Sequence, residues 1–130
     1  MSPTKLTKNQ DVVLDALRSG SGPMSAYQLL DMDMVRSNGL RAPLTIYRAL
    51  DKLIEVGLVH RIESLNAFIC CDQNHHSDPP AFMICHDCKN ITEVDTKAVR
   101  KALTKQASEL GFQIEQLQVE ASGRCRQCAN

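Results

Sequence analysis

Four of the six cysteines in this chain form two Cys-x-x-Cys pairs, Cys85 with Cys88 and Cys125 with Cys128, with a helix-sized segment between them. Each pair offers two thiolates to one ion, and two pairs brought together make a closed tetrahedral set of four sulfurs, the arrangement of structural zinc sites. In so short a segment such a staple supplies stability that burial alone does not. A pair of disulfides would need an oxidising compartment, and the N-terminal MSPTKLTKNQDVVL lacks the charged region and apolar run of a signal peptide. A redox Cys-x-x-Cys normally comes singly, opening a helix after a strand. A four-cysteine zinc site is therefore the expectation.

Other ligand types remain once those four are assigned: His60, Cys70 and Cys71, His75 and His76, and Glu93. A thiolate, one or two imidazoles and a carboxylate converging where two modules join would form a second metal site of mixed sulfur, nitrogen and oxygen type. One histidine alone would carry no such argument; the clustering does. A site that borrows ligands from two modules would couple their relative orientation to metal concentration.

The elements that must position these residues fall into two groups. Thr7 with Gln10 reads as a capping box opening a helix over about 8–18, which ends at the Ser19–Pro23 break. Ser25 with Gln28 repeats the signature, and Ala26, Leu29, Leu30 and Val35 form the stripe of a second helix that runs to Asn38-Gly39. A third helix starts at Pro43 to Thr45 and ends at Gly57. It buries Ile46, Ala49, Leu50 and Leu53, and presents Thr45, Arg48 and Lys52 elsewhere with Tyr47 flanking them. Two β-prone runs, 58–63 and 67–71, then make a hairpin. Three helices followed by a hairpin read as a winged helix-turn-helix. Its third helix would enter the major groove, with Arg48 and its neighbours discriminating bases and Arg61 on the wing touching phosphate.

The polar stretch from Asp72 to Pro80 reads as a linker. Beyond it, strands at 81–84 and 91–94 flank the first knuckle, and Val99, Ala102, Leu103, Ala107 and Leu110 line an amphipathic helix closed by Gly111. A strand from Phe112 to Ala121, bent between Ile114 and Leu117, returns to the second knuckle. The expected organisation is α+β: a winged-helix DNA-binding domain at 1–71, a linker at 72–80, and a small α/β dimerisation and metal-binding domain at 81–130. A small sheet with one helix leaves an edge that a second copy can cover, so a homodimer is expected.

Composition narrows the function further. The 130 residues carry 15 Lys and Arg against 15 Asp and Glu, for a formal net charge of zero. That balance argues against indiscriminate nucleic-acid binding, and the absence of Trp argues against a base-stacking single-strand binder. No apolar run is long enough to span a membrane, and a cytoplasmic location is expected.

The run Ala42-Pro43-Leu44-Thr45-Ile46-Tyr47-Arg48-Ala49-Leu50, then Leu53, Gly57-Leu58-Val59-His60, the hairpin, and the two paired knuckles resemble the ferric-uptake-regulator family of bacterial metal sensors over nearly the whole chain. The stretches 25–31, 47–51, 59–64 and Glu120-Ala121-x-Gly123-x-Cys125 are most similar to its zinc-responsive members. The resemblance implies a dimeric repressor that takes zinc as corepressor, holds about two zinc ions per chain, and binds AT-rich palindromic operator DNA before zinc-acquisition genes.

Carried over by residue, the resemblance assigns structural zinc to Cys85, Cys88, Cys125 and Cys128. It assigns regulatory zinc to His60, Cys71, a linker histidine and Glu93, and DNA contacts to Tyr47 and Arg48. His76 is preferred to His75 because it lies nearer the second module. Only one of Cys70 and Cys71 can face the site, since successive strand residues point to opposite faces. Gln116 stands where members with a further His-rich site often carry histidine. Sensors of iron, nickel or peroxide within the same family are the alternative input. A zinc enzyme activating water beside Glu93 is the rival from another class, and four protein ligands leave it little room for an open coordination position. The expectation is a regulator without a small-molecule substrate, not an enzyme.

Overall fold

The computed structural model describes residues 5–20, 22–71 and 80–129. The chain divides into two compact units, Met1–His75 and His76–Asn130.

In the first unit, helix α1 (Lys8–Ser19) opens on the expected capping box, with the Thr7 side chain and the Gln10 side chain each accepting from the other's backbone N–H. Helix α2 (Ala26–Leu30) opens the same way on Ser25 and Gln28. The single second helix expected from the apolar stripe is in fact two. Helix α2 stops at Asp31, Met32 turns extended at ψ 136, and helix α3 (Asp33–Ser37) starts anew. Asp33 in a first turn suits the positive end of a helix dipole, and the break still leaves Ala26, Leu29 and Val35 buried.

Helix α4 (Pro43–Glu55) has Pro at its start, where a missing N–H costs nothing, and Gly57 just past its end at φ 84. Its Ile46, Ala49, Leu50 and Leu53 are all at most 4% exposed and form the centre of the core with Val13, Ala16, Leu17 and Leu29. Strands β1 (Val59–Ile62) and β2 (Ala67–Cys70) form the antiparallel wing, joined by a 3-10 turn at Glu63–Leu65 and Asn66 in the left-handed region at φ 48. Met24 adds a bridge that the sequence did not suggest. Its N–H donates to the Phe68 carbonyl at 2.9 Å and its carbonyl accepts from the Phe68 N–H at 2.8 Å, which ties the wing to the α1–α2 turn. Four helices and a hairpin on one core make a winged helix-turn-helix.

In the second unit, strands β3 (Ala81–Cys85), β4 (Ile91–Val94) and β5 (Glu120–Gly123) form a sheet of order β4-β3-β5, with helix α5 (Lys97–Glu109) between β4 and β5 in sequence. The β3–β4 pair is antiparallel and the β3–β5 pair parallel. Two expectations are corrected here. The return strand is confined to Glu120–Gly123; residues 112–119 are irregular, with a bend at Glu115. The apolar stripe of α5 is not buried in this unit either, since only Ala107 is covered while Val99, Leu103 and Leu110 are 40%, 38% and 83% exposed.

Candidate functional site

The parallel pairing of β3 with β5 builds the metal centre. Parallel strands end at the same edge of a sheet, so the knuckle that follows each strand arrives at the same place. Cys85, the last residue of β3, lies opposite Gly123, the last of β5, and Cys125 follows two residues later. Each knuckle is closed by the same turn: the Lys89 N–H donates to the Cys85 carbonyl at 2.8 Å, and the Ala129 N–H to the Cys125 carbonyl at 2.9 Å. Lys89 takes the left-handed region at φ 65 to make the first of them. The His86 N–H donates to the Gly123 carbonyl at 2.9 Å and locks one knuckle to the other strand.

The four sulfurs of Cys85, Cys88, Cys125 and Cys128 come within 4.8 Å of one another. A Zn–S bond of about 2.3 Å sets tetrahedral sulfurs roughly 3.8 Å apart, and Cys88 Sγ and Cys125 Sγ are separated by 3.7 Å. All four are thiols rather than disulfides. The donor set therefore fits a closed structural zinc site with no position left for substrate.

The four are not equivalent. Cys85 is buried, Cys125 and Cys128 are half-buried, and Cys88 is exposed. Backbone N–H groups of Cys88 and Cys125 point at the Cys85 sulfur, the latter at 3.3 Å, and together they lower its pKa to about 6. Cys128 is pushed up to about 12, chiefly by the neighbouring Cys125 and then the Cys85 side chain, with burial adding to the shift. At Cys88 the Asn90 N–H lowers the pKa, but the Cys85 side chain, desolvation and Cys125 outweigh it and the net shift is upward. Before metal arrives, the crowding of sulfurs disfavours charge on Cys88 and Cys128. A dication removes that conflict.

The other expected ligands are distributed as follows. His60 lies on β1 and is 9% exposed. The wing register pairs His60 with Ile69 and Val59 with Cys70, and the Cys71 N–H continues the ladder by donating to Leu58 at 2.9 Å. By alternation His60, Ile69 and Cys71 share one face of the hairpin, and Cys70 lies on the other. Cys70 packs against the hydrophobic core. Glu93 is half-buried on β4 of the second unit, opposite Phe82. His75 and His76 lie outside the described residues.

Helix α4 carries the expected reading residues. Arg48 is exposed and Thr45 half-exposed. Tyr47 also serves the packing. Its ring meets Phe68 of β2 edge-on, with centroids 6.4 Å apart, and so braces the helix against the wing. On the wing, the Arg61 guanidinium donates to Asn66 Oδ1 at 2.9 Å and lies 3.7 Å from Glu63. Arg61 is exposed on β1. Leu44, absent from the expected set, is 58% exposed in the first turn of the same helix.

The model of the ferric uptake regulator family matches residues 2–122. The chain belongs to the ferric uptake regulator family. Among curated proteins of this family, it is 35% identical to the zinc uptake regulation protein of Escherichia coli K12 over 127 residues, covering 95% of this chain and 72% of that one. Its structure is similar to that of a zinc uptake regulator complexed with zinc and DNA, with a TM-score of 0.88, 32% identity, and 97% of this chain and 84% of that one covered. It is likewise similar to holo XcZur, at a TM-score of 0.86 and 37% identity over 98% and 89% of the two chains.

Proposed function

We propose that this chain is a zinc-responsive transcriptional repressor that binds operator DNA as a homodimer and controls zinc-uptake genes in the cytoplasm. The observation that carries this reading is the likeness, over 97% of the chain, to a regulator solved with both zinc and DNA. Residues 1–71 serve as the DNA-binding domain, 72–80 as the hinge, and 81–130 as the dimerisation and metal-binding domain. Zinc at Cys85, Cys88, Cys125 and Cys128 is structural. Regulatory zinc is held by His60, Cys71, His76 and Glu93, and the shared face of His60 and Cys71 favours Cys71 over Cys70 as the thiolate ligand.

A dimer on DNA needs one spacing of its two reading heads, that of successive major grooves. Holding His60 and Cys71 of one unit to Glu93 of the other restricts the heads before DNA arrives, so the ordering cost is already met and affinity rises. Thr45, Tyr47 and Arg48 then face the groove, and Arg61 approaches phosphate. Homodimerisation is supported by the apolar surface of the second unit, where Met83, Leu110 and Phe112 are 51%, 83% and 65% exposed. Among the described residues no helix is long and apolar enough to cross a membrane.

The test is a zinc titration of purified, reduced protein, reading metal per chain and binding to an AT-rich palindromic duplex in the same samples. One zinc per chain should resist mild chelation, and DNA binding should appear as a second site fills. Cys71→Ser should abolish the zinc response while leaving a folded dimer, and Cys70→Ser should retain it. DNA affinity that is indifferent to the second zinc would overturn the reading.

A further inference from the structure

Leu44 is the large apolar side chain in the reading half of α4 that the core does not use. It is 58% exposed, whereas Ile46, Ala49, Leu50 and Leu53 of the same helix are at most 4% exposed. It stands one turn before Arg48, so the two are side by side on the face opposite the core. No carboxylate stands in that first turn, so nothing there repels a phosphate backbone.

A lone exposed leucine on a protein surface is ordinary. This one sits beside the residue expected to discriminate bases, and the major groove offers one apolar group, the C5-methyl of thymine. We propose that Leu44 is a specificity-determining residue that packs on a thymine methyl in each operator half-site, next to the base pair read by Arg48. The inference rests on the DNA-binding function proposed above.

An arginine reads guanine best through its O6 and N7 acceptors. Residues four apart on one helix face are close enough to meet neighbouring base pairs. The half-site should therefore contain a thymine adjacent to, or one step from, the base pair that Arg48 contacts. Leu44 is exposed and alanine is a better helix former, so Leu44→Ala should fold as the parent does.

The test begins by selecting preferred duplexes from a random pool with zinc-loaded protein, then replacing each thymine of the selected half-site by deoxyuridine, which lacks only the methyl. One replacement should weaken binding of the parent roughly fourfold per half-site, the equivalent of one buried methyl at about 0.8 kcal/mol. The same replacement should leave Leu44→Ala unaffected, and a thymine two or more steps away should show no such coupling. If uridine substitution weakens both proteins equally, or neither, the Leu44 assignment is overturned while the repressor reading stands. If no duplex is selected in a zinc-dependent way, the DNA reading falls and this inference falls with it.

Discussion

At the scale of single residues, the metal centre is a set of four identical side chains made unequal by their backbone surroundings. Cys85 takes two backbone N–H groups and is a thiolate at neutral pH, with its pKa lowered to about 6. Cys128 meets sulfurs instead and keeps its proton up to about 12. Zinc must displace whatever protons remain. At pH 7 the metal-free protein should therefore release fewer than the four protons of four ordinary thiols per zinc bound, because Cys85 has already lost its own. The number should rise toward four as pH falls below about 6 and Cys85 reprotonates. Calorimetry in buffers of different ionisation enthalpy reads this directly. A value close to four at pH 7 would mean that the knuckles are not preformed.

At the scale of elements, α4 and the wing act as one piece because Tyr47 and Phe68 join them. Truncating the ring in Tyr47→Ala should destabilise the first unit by about 2 kcal/mol, a partly buried aromatic plus its edge-on partner. Tyr47→Phe should keep the stability and isolate whatever the hydroxyl contributes at DNA; denaturant unfolding and duplex binding separate the two. In the second unit the described buried apolar side chains are Pro80, Ala81, Phe82, Ile84, Cys85 and Ala107, a small core for a sheet and a helix. Zinc is then the larger stabiliser, since structural sites of this kind supply on the order of 10 kcal/mol. Cys88 is exposed, so Cys88→Ser removes a ligand without removing packing. It should lower the melting temperature of the second unit by roughly 20 °C or more while the first unit melts unchanged, which two-probe thermal unfolding would show.

For the whole molecule, the stripe on α5 and the residues after it are apolar without being covered in this chain. Covering a leucine or phenylalanine is worth about 1.5–3 kcal/mol, and in a two-fold contact each counts twice. Leu110→Glu or Phe112→Glu should accordingly raise the dimer dissociation constant by about a hundredfold or more. The substitutions touch side chains already 83% and 65% exposed, so the monomer should stay folded. Sedimentation equilibrium would detect the change, and operator binding should weaken with it because two reading heads are needed.

Local chemistry made much of this protein legible from its residues. Capping boxes at Thr7 and Ser25, Pro43 and Gly57 around α4, and the β-prone runs of the wing all act within a few positions, and the helices and hairpin formed where those signals stand. The four knuckle cysteines declared their chemistry by spacing alone. Other features depended on contacts between distant segments. The split of α2 from α3 leaves the same apolar residues buried, so periodicity could not distinguish one helix from two. The Met24–Phe68 bridge joins residues with no shared pattern. Residues 112–119 have strand-like apolar content, but in this unit the register with β3 runs over 120–123, with the Val119 carbonyl accepting from the Phe82 N–H at 3.0 Å just before it. That parallel pairing is what carries Cys125 to Cys85, since a spacing of residues does not say which way two strands run, and only the direction brings both knuckles to one end of the sheet. The unequal thiols follow from the same cause, because the N–H groups that lower Cys85 come from turns the sheet has already placed.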